Sequence, residues 1–169
     1  TYNKLYDEAL VLPPSRIWIS FPCAPWSKMQ NANQHTQEQR VALERRREVQ
    51  RRGIKYFAEL LDKLLEKFPY VEIYWEWPRS CHGWSELWRT EKVLNKNCKL
   101  LYKASIDGCR YGMKCPSSGL MVNKQWSIRT SDEKFAVHFE KKPCPGYLEH
   151  ARIEGALTPF TSYYPIAMC

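Results

Sequence analysis

The period of apolar and polar positions changes several times along the chain, and each change marks an element. Leu5, Ala9 and Leu10 share a helical face, and Pro13-Pro14 closes that short helix. Ile17-Trp-Ile-Ser-Phe21 alternates and is rich in aromatic and β-branched residues, which predicts a short buried strand. It stops at Pro22-Cys23-Ala24-Pro25, where two prolines bracket one cysteine and the backbone neither extends a ladder nor starts a helix freely. Residues 28–35 are polar, with Gln30, Asn31, Asn33 and Gln34, and read as a loop. Thr36 and Gln39 have capping-box spacing and predict a long helix to about Phe68, with one buried stripe at 54, 57, 61, 64, 65 and 68.

Val71 to Pro78 predicts a second, central strand whose aromatic run ends in Glu76-Trp77-Pro78. A loop with Cys81 and His82 follows, then a helix capped by Ser85 and running to Leu94. Lys99 to Ser105 reads as a third strand, Asp107 to Gly112 as a turn-rich loop and Met121 to Thr130 as a fourth strand. Phe135 to Phe139 reads as a fifth short strand or a helix start. Strands alternating with helices predict an α/β, Rossmann-like, largely parallel sheet with flanking helices, in a single domain over residues 1–169. The carboxyl ends of parallel strands share one edge, so Cys23 and Glu76 are expected to face one crevice.

Composition sharpens this picture. Hydrophobic residues make up 44% of 169, enough for a real core, which excludes a disordered tail. The net charge of +8 implies either a polyanionic partner, nucleic acid foremost, or simply a basic protein. Arg40, Arg45, Arg46, Arg47, Arg51, Arg52 and Lys55 crowd the first half of the long helix, relieved only by Glu44 and Glu48. They form either a solvated, ion-paired face or a phosphate-contacting one. Seven cysteines, an odd number without a Cys-x-x-Cys pair, point to free thiols in an intracellular, reducing compartment. No apolar run approaches 18 residues, so neither a membrane span nor a membrane partner is expected. The start at Thr1 reads as a processed product or an excised piece.

Cys23 is either a reactive thiol on a stiff loop or a small buried hydrophobe. A cysteine hydrolase needs a histidine base, and none of His35, His82, His138 and His150 sits in a recognisable protease context. A thiol and a carboxylate in one crevice also suit attack on a pyrimidine ring. The thiolate adds to carbon 6, the carboxyl group serves the ring nitrogen, and carbon 5 becomes nucleophilic. Trp75, Trp77, Trp84 and Trp88 read as packing, whereas Trp26, on the cysteine loop, is placed to line a pocket for a flipped base. Cys109, Cys115, Cys144 and His150 offer a Cys₃His set with loose spacing, and ordinary buried thiols are the simpler reading; zinc is not expected.

Phe21-Pro-Cys-Ala-Pro-Trp-Ser27 resembles the nucleophile loop of cytosine 5-methyltransferases, and Glu76 falls where that family has the Glu of Glu-Asn-Val. Gln125 and Arg129 match the ends of its Gln-x-Arg-x-Arg segment, with Ser127 in place of the first arginine. The chain is more similar still to a methyltransferase-like domain of retrotransposon-type polyproteins, in Pro-Cys-x-x-Trp-Ser, Gln30, Asn31, Asn33, Glu76-x-Pro78, Cys109-x-Tyr-Gly112, Lys124, Cys144-x-Gly146, His150 and Gly155. This likeness covers roughly residues 15–155 and leaves 1–14 and 156–169 peripheral; Leu148 stands where the pattern usually has a histidine.

The resemblance implies a partial methyltransferase fold with Cys23 as nucleophile, Glu76 at the ring nitrogen and Arg129, Gln125 and Trp26 at the base. Arg45, Arg46, Arg47, Arg51 and Arg52 would hold the phosphates of DNA rather than RNA. The implied donor is S-adenosylmethionine, yet neither the Gly-rich turn nor the acidic ribose ligand precedes residue 17. The donor-binding half is therefore expected to be absent and transfer by this piece alone is not expected. The other readings are a non-catalytic nucleic-acid-binding module of a mobile-element polyprotein and a zinc-stabilised interaction domain.

Overall fold

The computed structural model describes residues 2–86, 100–140, 143–146, 149–155, 157–165 and 168. In chain order they form α1 (Tyr2–Val11), β1 (Arg16–Ile19), α2 (Lys28–Ala32), α3 (Gln37–Lys67), β2 (Glu72–Pro78), β3 (Tyr102–Asp107), β4 (Gln125–Thr130), α4 (Glu133–Glu140) and α5 (Leu157–Phe160). The capping box at the start of α3 is complete: the Thr36 hydroxyl accepts from the Gln39 N–H, and the Gln39 side chain accepts from the Thr36 N–H. None of the described helices is long and apolar enough to cross a membrane.

Several expected elements shift. Residues 28–32 are helical rather than loop, because the Ser27 hydroxyl accepts from the Met29 N–H and caps a short turn. The fourth strand begins at Gln125; Met121 contributes only isolated bridges to Lys114 and His150. The third runs from Tyr102 to Asp107, and Lys99 lies outside the described residues. Of the two readings of Phe135 to Phe139, the helix is the one that forms. Residues 83–86 are already helical, so Ser85 is no cap, and its hydroxyl donates to the His82 carbonyl; the rest of that expected helix, with Trp88, lies outside the described residues.

The sheet has the order β1-β2-β4-β3. Only β1 and β2 pair in parallel; β4 is antiparallel to both β2 and β3. The expectation of a largely parallel sheet is corrected to a mixed α/β sheet. Residues 108–124 supply no helical crossover beyond the single 3₁₀ turn Gly108–Tyr111, so the chain re-enters the sheet in the opposite sense. The pairings make β3 run with β1 and β2, so three carboxyl ends and the start of β4 share one edge.

Alternation divides the core between the two faces. Ile73, Trp75 and Trp77 pack with Ile54, Ala58, Leu61 and Leu65 of α3, while Tyr74, Ala104, Ile106, Trp126 and Ile128 pack with Ala136 and Phe139 of α4. β2 is central and buried, but β1 is an edge strand on which only Ile19 is buried, contrary to the buried strand expected there. Trp18 remains 43% exposed. Its ring nevertheless stacks on Tyr74 at 5.6 Å between centroids.

Trp77 also fixes the chain beyond β2, because a Cβ added at Gly83 would lie 2.7 Å from the Trp77 ring. Trp77 is 0% exposed and has no room to retreat. Gly83→Ala is expected to lower unfolding free energy by about 1–3 kcal/mol in a urea titration. A Gly83→Ala chain as stable as the original would show that this packing yields.

Candidate active site

The segment from Phe21 to Trp26 lacks ladder partners; a 3₁₀ turn over Ala24–Trp26 satisfies the Cys23 and Ala24 carbonyls, and side chains from elsewhere hold those of Phe21, Pro22 and Pro25. Trp77 Nε1 donates to the Phe21 carbonyl at 2.8 Å, Gln50 Nε2 to Pro22 at 2.9 Å and Arg47 Nε to Pro25 at 3.0 Å. The Gln50 Oε1 also accepts from Trp26 Nε1, so one amide holds both ends of the cysteine loop. The Trp26 carbonyl accepts from the His82 N–H at 2.9 Å. These bonds satisfy groups that would otherwise be orphaned near the core.

Cys23 and Glu76 do reach the same edge, from opposite faces. Cys23 is half-buried against the α3 side of the core. Glu76 projects from the α4 side and is 5% exposed. Its Oε2 accepts from the Ser20 hydroxyl at 2.8 Å and the Tyr164 hydroxyl at 2.9 Å. Burial pushes the Cys23 thiol up; Lys124 opposes that shift and Glu76 adds to it. Cys81, buried nearby, is pushed up to about 12, chiefly by burial. Tyr164 is also pushed up, first by burial and then by the Glu76 charge, so its hydroxyl keeps the proton it donates.

The other expected site residues divide. Gln125 opens β4 at this edge, exposed and opposite Asp107. Arg129 lies opposite Trp75, on the α3 face, while Glu76 lies opposite Ile128 on the other. The pleat therefore places Arg129 and Glu76 on opposite faces of the sheet. Trp26 is 2% exposed, with the Arg47 and Arg51 guanidinium groups 5.3 and 5.4 Å from its ring centre, and so lines no open pocket.

Arg47 also donates to Asn31 Oδ1 at 2.6 Å, and Arg51 pairs with Glu44, Glu48 and Glu86; both are committed to the loop and helix rather than presented to phosphate. Arg45, Arg46 and Arg52 are exposed, Arg52 in a loose 3.8 Å pair with Glu48. Arg45 and Arg46 line an open groove of about 920 Å³ with Pro25, Val41 and Val49, beside the cysteine loop.

Tyr164 and Ser20 went unread in the sequence. Ser20 continues the alternation that sets Trp18 opposite Tyr74, which places it beside Glu76 and was a legible signal. Tyr164 belongs to the tail read as peripheral, and nothing local marks it.

Of the four expected zinc ligands, Cys109, Cys144 and His150 bring one ligand atom each within 4.8 Å of the others. Cys115 is not in the group: its sulfur lies 3.2 Å from the Ser117 hydroxyl. Hydrogen bonds from Ser117 and Ser118 pull that thiol down to about 6.

Compared with protein-family models, curated proteins and solved structures, the chain matches none.

Two expectations follow. Gln50→Leu orphans the buried Trp26 N–H and should cost about 1–3 kcal/mol in urea unfolding. It should also speed Cys23 alkylation several-fold, and unchanged values for both would remove Gln50 from the loop's support. The thiols should also separate in pH. Cys115 ionises above about 6, so its alkylation rate should level off by neutral pH. Cys23, raised above the ordinary 9.0, should still be accelerating there. Mass mapping of each labelled peptide reads both profiles.

Proposed function

We propose that the chain is a nucleic-acid cytosine 5-methyltransferase-like domain that engages DNA. The observation that carries this reading is the juxtaposition of Cys23 and Glu76 at one sheet edge, beside Lys124 and a groove carrying Arg45 and Arg46. The exposed arginines position a phosphate backbone without reading sequence. A cytosine must leave the stack for its carbon 6 to reach sulfur. Lys124 favours the thiolate, and Tyr164 must release Glu76 for the carboxyl group to meet the ring nitrogen. Sulfur then bonds to carbon 6, the ring electrons move to the nitrogen served by Glu76, and carbon 5 takes a proton from water. Loss of the original carbon 5 proton and expulsion of Cys23 restore the base.

S-adenosylmethionine is not fitted by the described residues. Residues 1–52 contain no glycine, so they hold no Gly-rich turn, and the element just before β1 is the helix α1. No transfer step is therefore assigned to this chain.

Hydrogen exchange at carbon 5 tests the thiol addition by itself. An oligonucleotide tritiated at carbon 5 of cytosine is expected to release label into water with the original chain, and to release none with Cys23→Ser. Binding should weaken steeply with salt, and Arg45→Ala with Arg46→Ala should reduce the logarithmic salt slope by about 2. Salt-sensitive binding without exchange would favour a second reading, a non-catalytic nucleic-acid-binding module of a mobile-element polyprotein. That reading draws on the raised Cys23 thiol and on the Tyr164 hydroxyl seated on Glu76.

A further inference from the structure

A separate group of side chains lies beyond the end of β3. Cys109 belongs to the 3₁₀ turn after β3, Cys144 to the segment 143–146 and His150 to a bridge with Met121. Their ligand atoms all fall within 4.8 Å of one another. Cys144 Sγ and His150 Nε2 are 3.5 Å apart. A tetrahedral ion with bonds of about 2.3 Å to sulfur and about 2.1 Å to nitrogen has a sulfur–nitrogen edge of about 3.6 Å. The Cys144–His150 pair therefore already has the length of one such edge, and Cys109, from a distant part of the chain, lies within 4.8 Å of both.

The surroundings are organised as well. The Cys144 N–H donates to Asp107 Oδ2 at 2.8 Å, and Arg79 Nη2 donates to Asp107 Oδ1 at 2.9 Å. Asp107 is 3% exposed, so the backbone at Cys144 is fixed by a buried, charge-paired carboxylate. Support of this kind orients ligands at metal centres. The Ala151 N–H donates to the Met121 carbonyl at 2.8 Å and fixes the chain beside His150. Cys109 is buried, whereas Cys144 and His150 are half-buried, which leaves one side of the group open.

We propose that Cys109, Cys144 and His150 bind one zinc-class divalent ion, with the fourth position open to solvent, and that the ion ties Cys144 and His150 to the carboxyl edge of the sheet. Two thiolates and an imidazole select a thiophilic, tetrahedral ion over magnesium or calcium. Binding releases the two thiol protons to solvent. The proposal is independent of the reaction at Cys23.

The test is cobalt titration of the intact, metal-free chain under a non-thiol reductant. One cobalt ion per chain should bind and be displaced by zinc, with sulfur-to-cobalt absorption of two thiolates and the strong visible bands of four-coordination. Cys115→Ser should leave the spectrum unchanged, Cys144→Ser should halve the sulfur band, and His150→Ala should weaken binding at least tenfold. Where a variant fails to fold, zinc protection of the original chain answers the same question. Zinc should shield Cys109 and Cys144 from alkylation while leaving Cys115 labelled as before. No saturable sulfur band, equal dependence on Cys115, or absence of protection would overturn the proposal.

Discussion

Everything near the cysteine loop depends on one constraint: its prolines limit regular hydrogen bonding to a single 3₁₀ turn over Ala24–Trp26. Two of its carbonyls are proline carbonyls, and two of its residues have no N–H to offer. The unpaired groups are met from outside, by Gln50, Arg47 and the Trp77 indole. The arginine-rich half of α3 therefore has a structural task beside any electrostatic one. Arg47 and Arg51 flank Trp26, while Arg45 and Arg46 face the groove. A single run of arginines is divided by helical periodicity into two populations.

Elements with their own local signals were legible in the sequence. Thr36 and Gln39 announced α3, and the spacing of Ile54, Leu61, Leu64 and Leu65 gave its buried face. The aromatic run of β2 gave a central strand. The errors lie where long-range pairing decides. β1 looked buried because it is aromatic, yet it occupies an edge, and Trp18 finds its cover in Tyr74, Phe135 and Tyr164 instead of a second neighbouring strand. The sheet looked largely parallel because helices alternate with strands, but the span between β3 and β4 carries no crossover helix.

The candidate site was legible to the same degree. Cys23 and Glu76 could be placed on one edge because each ends a strand of common direction. Arg129 could not be judged from spacing alone, since its face depends on the register with Trp75, which pairing sets. Tyr164 approaches Glu76 across 88 positions of sequence, and no local pattern reports such a contact. The gathering of Cys109 with Cys144 and His150 is likewise a product of tertiary structure, which also separates Cys115 from them.

The length of α3 has a mechanical side. Its 31 residues extend about 46 Å, whereas the seven-residue β2 spans at most about 24 Å. The helix extends past β2 as a beam, and the cysteine loop with α2 is a strut joined to the overhanging half through Arg47 and Gln50. The ion pairs from Arg51 to Glu44 and Glu48 stiffen that overhang and are partly exposed, so ionic strength acts on the beam before it acts on the strut. A polyanion laid along the outer side of the beam would load the same member that carries Gln50, and the position of Cys23 would register the load.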